Sequence, residues 1–236
     1  VLAAASHTIM KLTSTLKDWL NLFFYTICPL CGRTAADELC PDCQRQIKSC
    51  QLPNSRQSGQ GDLLFSWGSY QGALKRAIAA LKYDNQPQLA RPLGQWLAQA
   101  WLASECSHSR LIVVPIPLHR YKQKQRGYNQ AALLARSFCN LTGLPLRSDG
   151  LERVQKTPPQ FGLSISQRRQ NLDQAFSVGK DFLVTRPTHP VLLLDDIYTT
   201  GATARAVTKT LQDSRIQVRG ILTVAFAEQL RQSRSG

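Results

Sequence analysis

Three short runs along the chain are apolar or nearly so: Leu111–Val114 (LIVV), Val191–Leu194 (VLLL) and Gly220–Phe226 (GILTVAF). Runs of this length, rich in branched residues, suit strands covered on both faces, as in a parallel sheet. Leu63 to Tyr70 alternates instead and reads as a further short strand. Between these runs the apolar period changes to that of a helix. Leu74, Ala77, Ile78 and Leu81 share one face of Gly72–Tyr83, and Leu89, Leu93, Leu97 and Trp101 follow Pro87 at the same spacing. Leu133, Leu134, Phe138 and Leu141 repeat the pattern, as do Ala204, Val207 and Leu211. Strands alternating with helices predict an α/β domain over residues 63–230, with a mostly parallel sheet flanked by helices.

Four stretches lie outside this rhythm. Residues 1–25 form an N-terminal segment in which Leu12 to Tyr25 reads as a short amphipathic helix. Residues 26–50 carry most of the cysteines, and 51–62 (QLPNSRQSGQGD) are polar and aperiodic, which reads as a linker. Residues 151–176 contain Pro158-Pro159 and the cations Arg153, Lys156, Arg168 and Arg169. That segment reads as a hairpin or flap closing on an anion, or as a structural excursion.

Charge sharpens the picture. The 236 residues carry a net +14, which points to phosphorylated ligands or polyanionic partners, or to a basic solvated surface. No apolar run reaches the roughly 18 residues of a membrane helix, and a cytoplasmic protein is expected. Met10 is the only methionine, so Val1 to Ile9 read as an upstream extension or a non-AUG start.

Four of the seven cysteines form two CxxC pairs, Cys28/Cys31 and Cys40/Cys43. Two such knuckles supply four thiolates, the ligand set of a closed structural zinc site. A redox pair or two disulfides are the alternatives.

Two strand ends carry further chemistry. After Val191–Leu194 come Asp195 and Asp196, then Thr199, Thr200, Gly201, Ala202 and Thr203 ahead of a helix. Free N–H groups, hydroxyls and a glycine at a helix start make an anion cradle. The acids suit ribose hydroxyls or a nearby magnesium ion. A sugar phosphate satisfies both halves; an ordinary strand–turn–helix is the plain alternative. After Leu111–Val114 come Pro115, Ile116, Pro117 and Leu118, then Arg120, Lys122, Lys124 and Arg126. From Cys106 to Ser148 there are seven Lys or Arg and no acid, which suits a pyrophosphate or a solvated basic loop.

VPIPLHRYKQKQRGYNQ, KTPPQFGLSISQRRQNLDQAF and VLLLDDIYTTGATA occur in that order, and together they resemble the ComF/GntX family. The third block is similar to the phosphoribosyl pyrophosphate (PRPP) signature of type I phosphoribosyltransferases. The resemblance implies a phosphoribosyltransferase-like parallel sheet behind a small zinc-ribbon-like module. It implies that Asp195 and Asp196 hold ribose hydroxyls and that Thr199, Thr200, Gly201, Ala202 and Thr203 take the 5-phosphate. The Pro115–Leu118 turn would take the pyrophosphate with Arg126 and Arg168 nearby. Zinc, and magnesium arriving with PRPP, are the implied cofactors.

Two functions fit. One is a PRPP-binding module serving DNA uptake or utilisation, in contact with single-stranded DNA and other competence proteins. There Tyr121 or Tyr128 would be stacking platforms, or simply packed. The other is an active phosphoribosyltransferase acting on an unidentified nucleobase or amine.

Overall fold

The computed structural model describes residues 26–53, 56–59, 62–154 and 175–227. The chain divides into two compact units, at Arg45/Gln46.

In the first unit, strands β1 (Thr26–Ile27) and β2 (Thr34–Ala35) pair antiparallel around the first CxxC knuckle, and α1 (Pro41–Lys48) begins inside the second. Gly32 turns the first knuckle with φ 74°, its N–H on the Cys28 carbonyl at 2.9 Å. The expected helix at Leu12–Tyr25 lies outside the described residues.

The second unit is built on a five-stranded sheet ordered β3-β4-β9-β8-β5. Its strands are β3 (Arg56–Gly59), β4 (Asp62–Ser69), β5 (Ile112–Pro115), β8 (Val191–Tyr198) and β9 (Val218–Phe226). β4, β9, β8 and β5 are parallel, and β3 alone runs antiparallel, along β4. The parallel α/β architecture that the apolar runs predict is therefore present. Polar residues 51–62, read above as a linker, instead contribute this edge strand: β3 pairs Arg56 with Phe65 and Gly59 with Asp62. Backbone pairing needs no apolar side chain, so the local composition conceals it. Residues 46–53 also belong with the sheet, through Leu52 N–H to Trp67 O at 3.0 Å and Ser69 N–H to Cys50 O at 2.8 Å.

Helices cover both sheet faces. On one side lie α2 (Gly72–Tyr83), α3 (Ala90–Leu102) and α5 (Gln130–Thr142). Leu89, Leu93, Leu97 and Trp101 are all buried there, as their spacing predicts. Trp67 stacks on Trp96 at 5.6 Å, and Phe65 meets Trp101 edge-on at 5.3 Å. Each such side chain contributes roughly 1.5–3 kcal/mol by leaving water. On the other side α7 (Ala202–Asp213) packs Ala206, Val207 and Leu211 against Val191, Leu193 and Ile221. Beside it the short hairpin β6 (Leu151–Arg153) and β7 (Phe176–Val178) adds Leu151 and Phe176, and α6 (Lys180–Val184) adds Phe182. The 151–176 segment thus begins and ends as an antiparallel pair; Lys156, Pro158-Pro159, Arg168 and Arg169 lie outside the described residues.

The basic run after β5 is not a loop. Arg120–Arg126 forms helix α4, capped by His119, whose Nδ1 accepts the Tyr121 N–H at 3.1 Å. It ends at Gly127, φ 85°. None of its residues is buried, so no apolar face announces it in the sequence.

Candidate functional site

The strand that carries the acids runs further than its apolar residues. β8 continues to Tyr198 because β9 stays paired with it, Asp195 opposite Thr223, Ile197 opposite Ala225 and Tyr198 opposite Phe226. The acids therefore lie within the strand, and not where it leaves the sheet. Successive side chains of a strand point to opposite faces. Val191 and Leu193 belong to the α7-side core, so Asp195 faces that layer and Asp196 faces α2.

Asp196 has an ion-pair partner in its own layer, and Asp195 has none among the described residues. Asp196 is 3% exposed, and the Lys82 ammonium at the end of α2 pairs with its Oδ2. On the other face the Arg153 guanidinium is close enough to Asp195 for the carboxylate to favour its charge, while burial disfavours it. Arg153 also lies over the Phe176 ring at 5.2 Å, and its buried Nε has no hydrogen-bond partner among the described residues. Burial, and then the neighbouring Asp196 charge, hold the Asp195 carboxyl well above the usual carboxylate range. Its Oδ1 accepts the Asp196 N–H at 2.8 Å, which opposes part of that rise.

Beyond Tyr198 the chain turns sharply into α7. Gly201 is the N-cap of α7, with φ 71° and no side chain of its own to cap the helix. A Cβ there would lie 2.2 Å from the Tyr198 hydroxyl, because that ring folds over the loop and stacks on Phe226. Only glycine fits both the angle and the space. Ala202 N–H donates to Thr200 Oγ1 at 3.3 Å, and Arg205 Nη1 donates to Thr200 O at 2.8 Å. Thr199 and Thr200 are exposed. The loop thus offers hydroxyls, a helix start and a guanidinium, which together attract an anion.

Next to it, the β5 exit is fixed by Ile116 N–H to Leu194 O at 2.9 Å and Asn129 Nδ2 to Ile116 O at 3.1 Å. Pro115 and Pro117 have no N–H, and that of Ile116 is taken, so Leu118 alone in this turn keeps one for a ligand. Arg126 donates to Gln130 Oε1 and lies 5.5 Å from the Tyr83 ring centre. Tyr128 is packed, its hydroxyl on Leu81 O at 2.6 Å. Arg168 lies outside the described residues. Lys82 and Arg205 are additions of the structure: both look like ordinary helix cations in the sequence. Arg153 stands out there only as one of several cations in an irregular segment.

In the first unit the sulfurs of Cys28, Cys31, Cys40 and Cys43 lie within 4.8 Å of one another, a cluster able to hold one metal ion. All seven cysteines are free thiols. Arg33 donates to Cys31 Sγ at 3.4 Å and lowers that thiol to about 6, while burial pushes Cys43 up. A bound metal would override both effects by deprotonating every ligand.

A mixed α/β protein with two adjacent acids late in a parallel strand and a glycine turn into a helix is the class that these features define. No family model matches the chain. It is 33% identical over 211 residues to competence protein F of Haemophilus influenzae, covering 79% of this chain and 91% of the relative. It is 28% identical over 200 residues to the DNA utilization protein YhgH of Salmonella typhimurium, covering 81% and 86%. The chain belongs to the ComF/GntX family, that of competence protein F. Among solved structures, glutamine PRPP amidotransferase of B. subtilis, complexed with ADP and GMP, superposes with a TM-score of 0.36 at 17% identity. That match covers 57% of this chain and a quarter, 25%, of the amidotransferase, too distant to bear on the site. No described helix is long and apolar enough to cross a membrane.

Proposed function

We propose that this protein binds PRPP at Asp195–Thr203 and serves the handling of DNA. The observation that carries the first half is the join of two adjacent carboxylates, one paired with Lys82, to a helix start through a glycine-tight, hydroxyl-bearing turn. Thr199, Thr200, Gly201, Ala202 and Thr203 take the 5-phosphate, helped by Arg205. Asp195 and Asp196 accept hydrogen bonds from the ribose hydroxyls at the strand's end. The pyrophosphate lies towards Leu118, with Arg126 and Arg168 as its cations. Magnesium would arrive on the pyrophosphate, since Asp196 already faces Lys82 and the raised Asp195 carboxyl is a poor ligand for a cation. The second half rests on the relatives, named for competence and DNA utilisation.

Calorimetric titration with PRPP and magnesium tests the site. The wild type should bind one PRPP per chain, and Asp195→Asn with Asp196→Asn should weaken it at least about a hundredfold through the lost charged hydrogen bonds. Undiminished affinity in that double variant would refute the assignment.

A second reading, phosphoribosyl transfer to a base or amine, is favoured by Asp195. A carboxyl that burial holds above its usual range is a candidate proton donor or acceptor in such a transfer. Pyrophosphate release from PRPP in the presence of a nucleobase and amine panel would establish it.

The four cysteines would hold one structural zinc with Zn–S near ~2.3 Å. On the order of 10 kcal/mol of folding energy would then come from the metal. Metal analysis should return one zinc per chain; a value near zero would contradict it.

A further inference from the structure

The basic helix α4 borders a cleft that shares Lys82 and Arg126 with the proposed PRPP site and extends beyond it. Between α4 and the end of α2 lies an open cleft of about 650 Å³, lined by Lys82, Tyr83, Asn85, Lys122, Lys124 and Arg126 among others. No carboxylate lines it. Lys122 and Lys124 make no ion pair among the described residues. Tyr83 is 76% exposed, and Arg126 covers one face of its ring. No other ring or cation contact to Tyr83 is present among the described residues. Leaving a tyrosine in water forgoes the burial that makes aromatic residues stabilising, so packing gives no reason for this ring.

A ligand that engages the whole cleft must bring several negative charges and a flat apolar surface. Inorganic polyphosphate or an acidic peptide would use the lysines and leave Tyr83 idle. A duplex has the charge but keeps its base faces stacked on one another. A single strand has both: phosphates for Lys122 and Lys124, and an unstacked base for the ring. An arginine on the far side of the ring extends the stack through a cation–π contact. We propose that this cleft is a single-stranded nucleic-acid subsite, with one base on the face of Tyr83 away from Arg126 and the flanking phosphates on Lys122 and Lys124. The proposal rests on the DNA-handling reading above and replaces Tyr121 and Tyr128 as candidate platforms. Tyr128 is packed, and Tyr121, although exposed, is not among the residues lining the cleft.

The test uses the full chain and two labelled oligomers of about 30 units at roughly 50 mM salt, followed by fluorescence anisotropy. One is oligothymidylate; the other has the same backbone without bases. Tyr83→Ala should weaken oligothymidylate about tenfold, within the range of one lost base–aromatic stack, and leave the base-free strand unchanged. Tyr83→Trp should restore binding, and Tyr121→Ala should bind as the wild type does. Lys122→Glu with Lys124→Glu should flatten the log affinity–log salt slope by about 1.4 on both oligomers, at 0.7 per phosphate. If wild-type protein binds oligothymidylate but Tyr83→Ala has no effect, or affects both oligomers equally, the subsite is wrong and the DNA reading survives. If the wild type retains neither oligomer, the DNA reading fails and the subsite with it.

Discussion

Two neighbouring parallel strands, β8 and β5, are tied where β5 ends by Ile116 N–H to Leu194 O, and β8 alone continues beside β9 to Tyr198. Their exits are built in opposite ways. The β8 exit places one carboxylate on each face of the strand, sinks Asp196 to 3% exposure, and continues into a helix that buries Ala206, Val207 and Leu211. The β5 exit leads to a helix of seven residues with no buried side chain and four cations. The first holds its groups by backbone and burial; the second only displays them. Groups held by burial are pre-organised and sensitive to substitution where a partner inside the protein matches them, as Lys82 matches Asp196. Displayed cations cost little to keep or lose, and their number matters more than their exact positions. Substitutions at β8 should therefore disturb folding together with binding. Those on α4 should change affinity and salt dependence alone.

The largest effect should come from Lys82. Lys82→Met leaves the Asp196 charge buried and unpaired, at a cost of about 3 kcal/mol or more. Adding Asp196→Asn should recover most of it. Urea unfolding of the single and double variants reads this directly, and a single-variant cost below about 1 kcal/mol would mean the pair is not a buried one. Next in size is Gly201→Ala. A left-handed backbone angle and a Cβ against Tyr198 Oη should cost about 2 kcal/mol and also weaken PRPP binding. Stability with affinity unchanged, or the reverse, would separate the loop's two roles.

The smallest effect has a characteristic sign. A folded-state carboxyl raised above its unfolded value favours the protonated, folded protein at low pH. Asp195 thus contributes stability below the ordinary carboxylate range and loses it as pH rises through the raised value. Asp195→Asn should stabilise the protein by about 1 kcal/mol at neutral pH, a typical gain where a site strains its fold. The gain should vanish as pH falls below the ordinary carboxylate range. A gain that instead grew on acidification would reverse the account of that site.

How far the sequence foretold these features follows from the same contrast. Continuous apolar runs marked β5, β8 and β9 to within a few residues, because burial on both faces writes itself into composition. Helical spacing marked α2, α3 and α5 for the same reason. The last four residues of β8 carry no such mark: Asp195 to Tyr198 are strand only because β9 remains alongside. From that one extension follows the placement of the acids on opposite faces, which adjacent letters conceal. Lys82 is equally silent, its role set by a partner more than a hundred residues away. The RQSG strand was hidden by its polar composition, and helix α4 by having no buried face. The glycine turn from β8 into α7 was legible, since glycine at a helix start answers a local demand.

The claim that the two exits have separable ligands has one direct test: titration of PRPP and of oligothymidylate against Asp195→Asn/Asp196→Asn and Lys122→Glu/Lys124→Glu. The acid variant should lose PRPP and keep the strand; the lysine variant should lose the strand and keep PRPP to within about threefold, the limit for a distant screened charge. Loss of both ligands in either folded variant would contradict the account, and the two exits would then be one site.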